Sequence, residues 1–424
     1  MADVYYHIER PGPRSRYILA HLLGGMTGWH AEEVPRLDIF RSISGPKLIY
    51  GSAPVEGALA VVPEGLLEQQ GHRHEPWELA VEAGLPHDLF SAAFFLLSRM
   101  EEYGPIGRDE HGRPLTSVLH AARHGFLERP VVDEWLQAVV ARWRGKDPRL
   151  PPLRRSYSHT ATMDADNGAM FLGRPWWRTW GSTVRDLLKG RPGRVLDRFA
   201  VLAGTKQDPY AVHGPFVELA RTNQAGAIIN FIAARRGRFD HAIPLGDPYM
   251  SAVVHRAVQQ GGIGLHPSYA SSDAPARFDT EKAWLEAVSG QPVRRSRQHY
   301  LRMQLPGTMR ALEGLGIREE HSMGLADGVG FRAGTCTPFP FFDLIADEQS
   351  TLMVHPFAIM DSAMAYKLKL SPEQAILKAN QLVDAVRAVE GTFISVWHER
   401  FLSDYGDEAG WGRVAREVLA YARP

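Results

Sequence analysis

Two carboxylates stand two residues apart in Thr160-Ala161-Thr162-Met163-Asp164-Ala165-Asp166-Asn167-Gly168, at the end of a β-type run and just before a turn signal. Acids held this close repel each other unless a cation or an arginine lies between them. Three histidines occupy comparable places. His266 ends the apolar run Gly261-Gly262-Ile263-Gly264-Leu265, and Pro267 stops that strand from continuing. His398 ends the run Thr392-Phe393-Ile394-Ser395-Val396-Trp397. His299 sits in Ser296-Arg297-Gln298-His299-Tyr300-Leu301-Arg302, too polar for a plain core strand, where Arg297 could grip a carboxylate with both arms. Carboxylates and imidazoles together suit Zn²⁺ or a similar divalent ion. Each feature alone also has a bland reading, as a solvated Asp-Asn-Gly turn or a hydrogen-bonded core histidine. It is their coincidence at strand ends of one region that points to a metal-assisted site.

The elements that must position these groups form an alternating pattern. Strands are expected over 160–164, 227–233, 262–266, 299–303 and 392–398, with helices over 247–259, 280–288 and 306–315 between them. The clearest helix start is Ser371-Pro372-Glu373-Gln374, a Ser cap with Pro first and Gln three residues on. Alternation of this kind implies an α/β fold with a mainly parallel sheet, and in a (β/α) barrel the functional side chains lie at the C-terminal strand ends. Residues 1–150 read differently, as a separate N-terminal α+β unit. They hold short apolar stretches at 47–50 and 59–62, a buried helix capped by Asp88, and a second helix from 131 that ends near Gly145. Asp147-Pro148-Arg149-Leu150-Pro151-Pro152 reads as a linker to the barrel region, 151–424.

Composition removes several function classes. Lys+Arg and Asp+Glu both number 48, and no basic block stands out, so a nucleic-acid partner is not expected. The single cysteine, Cys336, excludes an intrachain disulfide framework and a Cys-rich zinc ribbon, and no neighbouring basic residue supports it as a nucleophile. The first residues lack the basic and apolar regions of a secretory signal, and no apolar run approaches the ~20 residues of a membrane span, so the cytoplasm is the expected compartment.

Taken in order, Asp-x-Asp at 164–166, Gly-x-His-Pro-Ser-Tyr at 264–269, Arg-Gln-His-Tyr at 297–300, Gly-Phe-Arg-Ala-Gly-Thr at 330–335 and Trp-His at 397–398 resemble the polysaccharide deacetylase superfamily (carbohydrate esterase family four). The resemblance covers residues 155–424. It is closer still to a bacterial branch with an extra N-terminal domain of unknown function, which Ser98-Arg99-Met100-Glu101-Glu102-Tyr103 and Arg108-Asp109-Glu110-His111-Gly112-Arg113 resemble. It implies a distorted (β/α) barrel that hydrolyses an N- or O-linked acetyl group from a sugar or polysaccharide. Asp164 would be the general base, Arg297 the group that steers it, and His398 the general acid. Asp166 and His266 would hold the metal, most simply zinc, with Tyr269, Tyr300, Arg332 and Trp397 toward the substrate.

One departure bears on the ligand set. The family's second metal histidine falls on Ala270, so His299 is the expected replacement, with His355 as its rival. Two other readings stay open. One is a non-catalytic carbohydrate-binding or scaffolding barrel, with Trp176, Trp177 and Trp180 as stacking residues. The other is an amidohydrolase-like site at His72-Arg73-His74, although that motif follows no apolar strand and reads better as a loop. Arg332 and Asp343 flank the Gly-Thr-Cys-Thr-Pro turn and could be site groups or an ion pair. His255 and His321 have no assigned role.

Overall fold

The computed structural model describes residues 2–70, 81–82 and 84–424, with the backbone alone at 81 and 82. His72-Arg73-His74 lie outside the described residues. The fold is mixed α/β with parallel-rich sheets.

In the N-terminal part, β1 (Val4–Ile8), β2 (Ala31–Glu33), β3 (Lys47–Tyr50) and β4 (Ala58–Val61) form a sheet of order β2-β1-β3-β4, parallel throughout. Parallel neighbours need crossovers, and the helices Pro13–Ala20 and Leu37–Ser42 supply the first two. This part is therefore of the alternating kind, not the segregated α+β kind expected. A short hairpin, β5 (Val81–Glu82) with β6 (Leu85–Pro86), precedes the helix Leu89–Leu97. Asp88 caps that helix by accepting from the Ser91 N–H at 3.0 Å, and all nine helical residues are buried. The next helix, Val131–Lys146, runs through Gly145 and stops at Asp147, because the residue before a proline disfavours the helical region.

The larger sheet has nine strands: β7 (Ser158–Ala165), β8 (Gly226–Ile232), β9 (Gly262–His266), β10 (Arg295–Ser296), β11 (Glu319–Glu320), β12 (Phe339–Asp343), β13 (Glu348–Val354), β14 (Ile359–Met360) and β15 (Thr392–His398). Their order is β12-β13-β11-β10-β9-β8-β7-β15-β14, and every neighbouring pair is parallel except β12 with β13. Helices Pro248–Gln260, Arg277–Ser289 and Gly307–Gly314 make the crossovers from β8 to β11. Helix Pro372–Ala388 leads into β15, and Ser371 and Gln374 close the capping box at its start.

The strand expected over 299–303 is absent. After β10 the chain makes a 3₁₀ turn at His299–Leu301, with Tyr300 at φ +58° and Leu301 at φ +55°. Two successive non-glycine residues in the left-handed region cost about 1–3 kcal/mol each and persist only where the surroundings fix them. Here Arg113 donates to the Tyr300 carbonyl at 3.1 Å. Segment 147–152 is not a free linker either, since Leu150 is buried in the core and the Pro152 carbonyl accepts from Trp29 Nε1 at 2.9 Å. One apolar core runs through both parts of the chain: Phe94 meets Phe342 at 5.0 Å, and the Tyr17 hydroxyl donates to the Pro340 carbonyl at 2.8 Å.

Candidate functional site

Parallel pairing sets three polar residues side by side. Asp164 at the end of β7 is in register with His398 on β15 and Asn230 on β8, so all three emerge at the same C-terminal edge. Asp164 is buried, and its Oδ1 accepts from Asn230 Nδ2 at 2.9 Å and Arg297 Nη1 at 3.1 Å. Burial pushes this carboxyl up, but the Arg297 guanidinium together with His266 and His398 outweighs burial and holds it below the usual carboxylate range. Arg297 is itself fixed, donating to Thr162 Oγ1 at 2.6 Å and to the His321 carbonyl at 3.0 Å. Gly264 on β9 makes this possible, because a Cβ there would lie 2.2 Å from Asn230 Oδ1.

Two residues on, Asp166 meets two imidazoles. Its Oδ1 lies 3.5 Å from His266 Nε2 and 3.7 Å from His299 Nε2, and the three residues offer ligand atoms that all fall within 4.8 Å of one another. That Oδ1 is buried with no hydrogen-bond partner among the described residues. Both rings are oriented through their other nitrogen. His266 Nδ1 lies 2.6 Å from the Arg297 carbonyl and His299 Nδ1 lies 2.9 Å from Asp240 Oδ1, so each Nδ1 donates and each Nε2 presents its lone pair to Asp166. This backing of an imidazole by a carbonyl or carboxylate is the arrangement that metal-binding histidines use. A buried, unpartnered carboxylate oxygen facing two imidazole lone pairs leaves a place that a divalent cation fits. Ala270 contributes no donor, and the turn at His299–Leu301 brings in the third one.

His398 stands on the other side of Asp166, its Nε2 4.0 Å from Asp166 Oδ2. Asp361 clamps it twice, accepting from His398 Nδ1 at 2.5 Å and from its backbone N–H at 2.6 Å. Burial lowers the imidazole's affinity for a proton, but Asp361 and Asp166 together raise it more, to a pKa of about 9. Arg400 Nη2 reaches Asp166 Oδ2 at 3.4 Å. Asp164, Asp166, His266, His299, His398 and Arg400 line one cavity of about 520 Å³, walled on one side by His111 and Arg113 from the N-terminal part of the chain.

The site residues named from the sequence divide. Asp164, Asp166, His266, His299, His398 and Tyr300 line the cavity, and Arg297 touches it through Asp164. Three others do not reach it. Trp397 is fully buried behind the strand, with Nε1 donating to Ser395 Oγ at 3.0 Å. Both arms of Arg332 are taken by Glu102, at 2.9 and 2.6 Å, in the buried core, and Asp343 pairs separately with Arg310. Tyr269 is a buttress: its hydroxyl bonds His111 Nδ1 at 2.9 Å and its ring stacks on Phe239 at 4.0 Å. Trp176, Trp177 and Trp180 are exposed on helix Trp176–Leu188 and line no part of this cavity. His355 sits with Glu319 and His321 instead of with Asp166. Cys336 is buried, and burial pushes its thiol well up, away from nucleophilic use.

Asp240, Asp361, Asn230 and Glu399 carry the site without having been singled out in the sequence. Glu399 accepts from the Asn167 and Gly168 N–H groups at 2.8 and 2.7 Å, fixing the turn that aims Asp166. Its place next to His398 was the one available signal. Asp240 and Asp361 are lone carboxylates in connecting segments, with no spacing to mark them.

Residues 4–146 match the model of a family of unknown function, DUF7033. No curated protein matches the chain. Solved structures similar to it include a candidate polysaccharide deacetylase from Mycobacterium smegmatis, at 13% identity and TM-score 0.39, covering 63% of this chain and 85% of that one. A polysaccharide deacetylase from Bacillus cereus matches at 10% identity and TM-score 0.31, over 62% and 86% of the two chains. A mutant of a carbohydrate esterase family four pseudoenzyme with restored enzymatic activity matches at 13% identity and TM-score 0.26, over 62% and 66%.

Proposed function

We propose that this protein is a metal-dependent hydrolase that removes an N- or O-linked acetyl group from a sugar or polysaccharide. The observation that carries the reading is the Asp166–His266–His299 group, its ligand atoms within 4.8 Å of one another, set in the same cavity as Asp164 and His398. A divalent ion held there, zinc being the simplest match to two imidazoles and a carboxylate, supplies Lewis acidity toward an acyl carbonyl and acidifies water.

The chain's own groups divide the proton work. Asp164, kept charged by Arg297, takes the proton of the attacking water. His398, held by Asp361 on the far side of Asp166, delivers a proton to the departing nitrogen or oxygen. The bond broken is that between the acyl carbon and the sugar's nitrogen or oxygen. Water supplies hydroxyl to the acyl carbon and the proton to the leaving group. Tyr300, His111 and Arg113 form the wall against which a sugar would rest.

Asp164→Asn separates chemistry from binding. It should abolish release of acetate from an N-acetylglucosamine oligomer while metal content stays near the wild-type value. Asp166→Asn should lose metal and activity together. Wild-type turnover in Asp164→Asn would make the carboxylate structural and end this reading.

A further inference from the structure

A second set of ligand-type side chains lies apart from the first. Glu319 and His321 flank Glu320 at the end of β11, so both point to one face of the sheet. β13 pairs with β11 with Met353 opposite Glu319, which sets His355 alongside His321. The carboxylate Oε2 of Glu319 lies 3.4 Å from His321 Nε2 and 4.0 Å from His355 Nε2, and the two imidazoles stack at 4.5 Å. Donor atoms of all three fall within 4.8 Å of one another. His321 is 1% exposed, and among the described residues neither of its ring nitrogens has a hydrogen-bond partner. A buried imidazole with no hydrogen bond on either nitrogen is unfavourable. Arg295 Nε holds Glu319 Oε2 at 2.8 Å and orients the carboxylate.

We propose that Glu319, His321 and His355 form a second zinc-class site, with two nitrogens and one oxygen as ligands and the half-exposed side between His355 and Glu319 open to water. It shares no side chain with the Asp166 group. The ion ties the ends of β11 and β13 together and gives His321 the partner it lacks. Metal analysis after equilibration with zinc and removal of the excess should give two ions per chain. Glu319→Gln and His355→Ala should each lower this to one, and Asp166→Ala with His266→Ala should remove the other. Loss of an ion only in the Asp166 and His266 variant overturns this second site and leaves the proposed hydrolytic centre intact. Loss only in the Glu319 and His355 variants does the reverse. Because a variant could misfold, zinc-soaked wild-type crystals provide a second readout. An anomalous peak between Glu319, His321 and His355 is expected, and its absence overturns the site.

An independent observation concerns the hairpin of helices Trp176–Leu188 and Pro192–Leu202. It exposes a continuous apolar set: Trp176 at 76%, Leu188 at 84% and Leu196 at 71%, with Trp177, Trp180 and Leu187 among the others. Residues 174–206 carry eight Arg or Lys against two Asp in a chain of zero net charge; Arg198 is buried on Asp186, while Arg185 and Lys189 are exposed beside Leu187 and Leu188. Exposed tryptophans and leucines with flanking arginines are the composition of a helix lying in a bilayer interface. The geometry points to an anionic lipid surface as the occupant. A second copy of the same basic face would bring like charges together. Protein should cosediment with vesicles containing phosphatidylglycerol, at least ten-fold more than with pure phosphatidylcholine, and half-molar salt should weaken the binding. The triple variant Trp176→Ser, Trp177→Ser, Trp180→Ser should lose it. No cosedimentation, or cosedimentation unchanged by the triple variant, overturns the assignment. A dimer in light scattering that the triple variant dissolves gives the face to a second copy instead.

Discussion

Asp164 and Asp166 are the same residue type one position apart from adjacency, and their neighbours give them different work. Arg297 and Asn230 occupy Asp164, leaving it a charged acceptor, while Asp166 faces imidazole lone pairs with one oxygen unpartnered. His398 differs from the other two histidines in the same way: His299 also leans on a carboxylate, but only the one behind His398 clamps its backbone as well as its ring. Asp361→Asn keeps the shape of that clamp and removes its charge. Turnover should fall by about 10²- to 10⁴-fold, the usual worth of one acid–base group. Metal content should stay unchanged, since Asp361 touches no ligand of the Asp166 group. Steady-state kinetics with metal analysis on the same sample checks both. At this scale the sequence is readable where a polar residue ends an apolar run, as at Asp164, His266 and His398. It is silent on Asp361 and Asp240, whose partners lie 37 and 59 residues away.

Register between elements is what turns those residues into a site. Asn230 reaches Asp164 only because β8 pairs with β7 in the observed register and because β9 offers a glycine opposite. A methyl group on residue 264 would fall 2.2 Å from Asn230 Oδ1. Gly264→Ala should therefore push Asn230 off Asp164, lower turnover at least ten-fold and cost about 1–3 kcal/mol of stability from overpacking. Turnover equal to wild type, with the stability loss alone, would mean that Asn230 does not position the base. Elements long enough to show a period are legible: β9 and β15 match their apolar runs, and the Ser371 cap marks its helix start. β10 and β11 have two residues each, too few for any alternation to register. The 299–303 segment fails for another reason. Its β-type composition is overridden by the Tyr300–Leu301 left-handed turn, which long-range contacts such as Arg113 stabilise.

Across the whole molecule, the two parts of the chain meet at a buried charge cluster. Glu102, from the N-terminal part, receives Arg99 Nε at 2.8 Å and both arms of Arg332. All three side chains are buried. Burial pushes the Glu102 carboxyl up, but Arg332 and Arg99 pull it down further, to about 2 from 4.5. A folded-state pKa below the unfolded one stabilises the fold above pH 4.5, and that contribution fades as pH falls from 4.5 toward 2. A shift of this size corresponds to about 3 kcal/mol at neutral pH. Glu102→Gln leaves two guanidinium groups buried against a neutral amide, and breaking a buried pair in this way costs about 3–5 kcal/mol. Urea unfolding should therefore show the variant less stable by about 3 kcal/mol at pH 7, with the gap closing below pH 4.5 as wild-type Glu102 takes up its proton. A gap that stays constant down to pH 3 would assign the loss to packing instead of charge. Because Arg332 sits in the segment leading to β12, the same variant should loosen the docking of the N-terminal part, which brings His111 and Arg113 to the cavity wall. Protease cleavage between the two parts should then accelerate in step with the stability loss at pH 7.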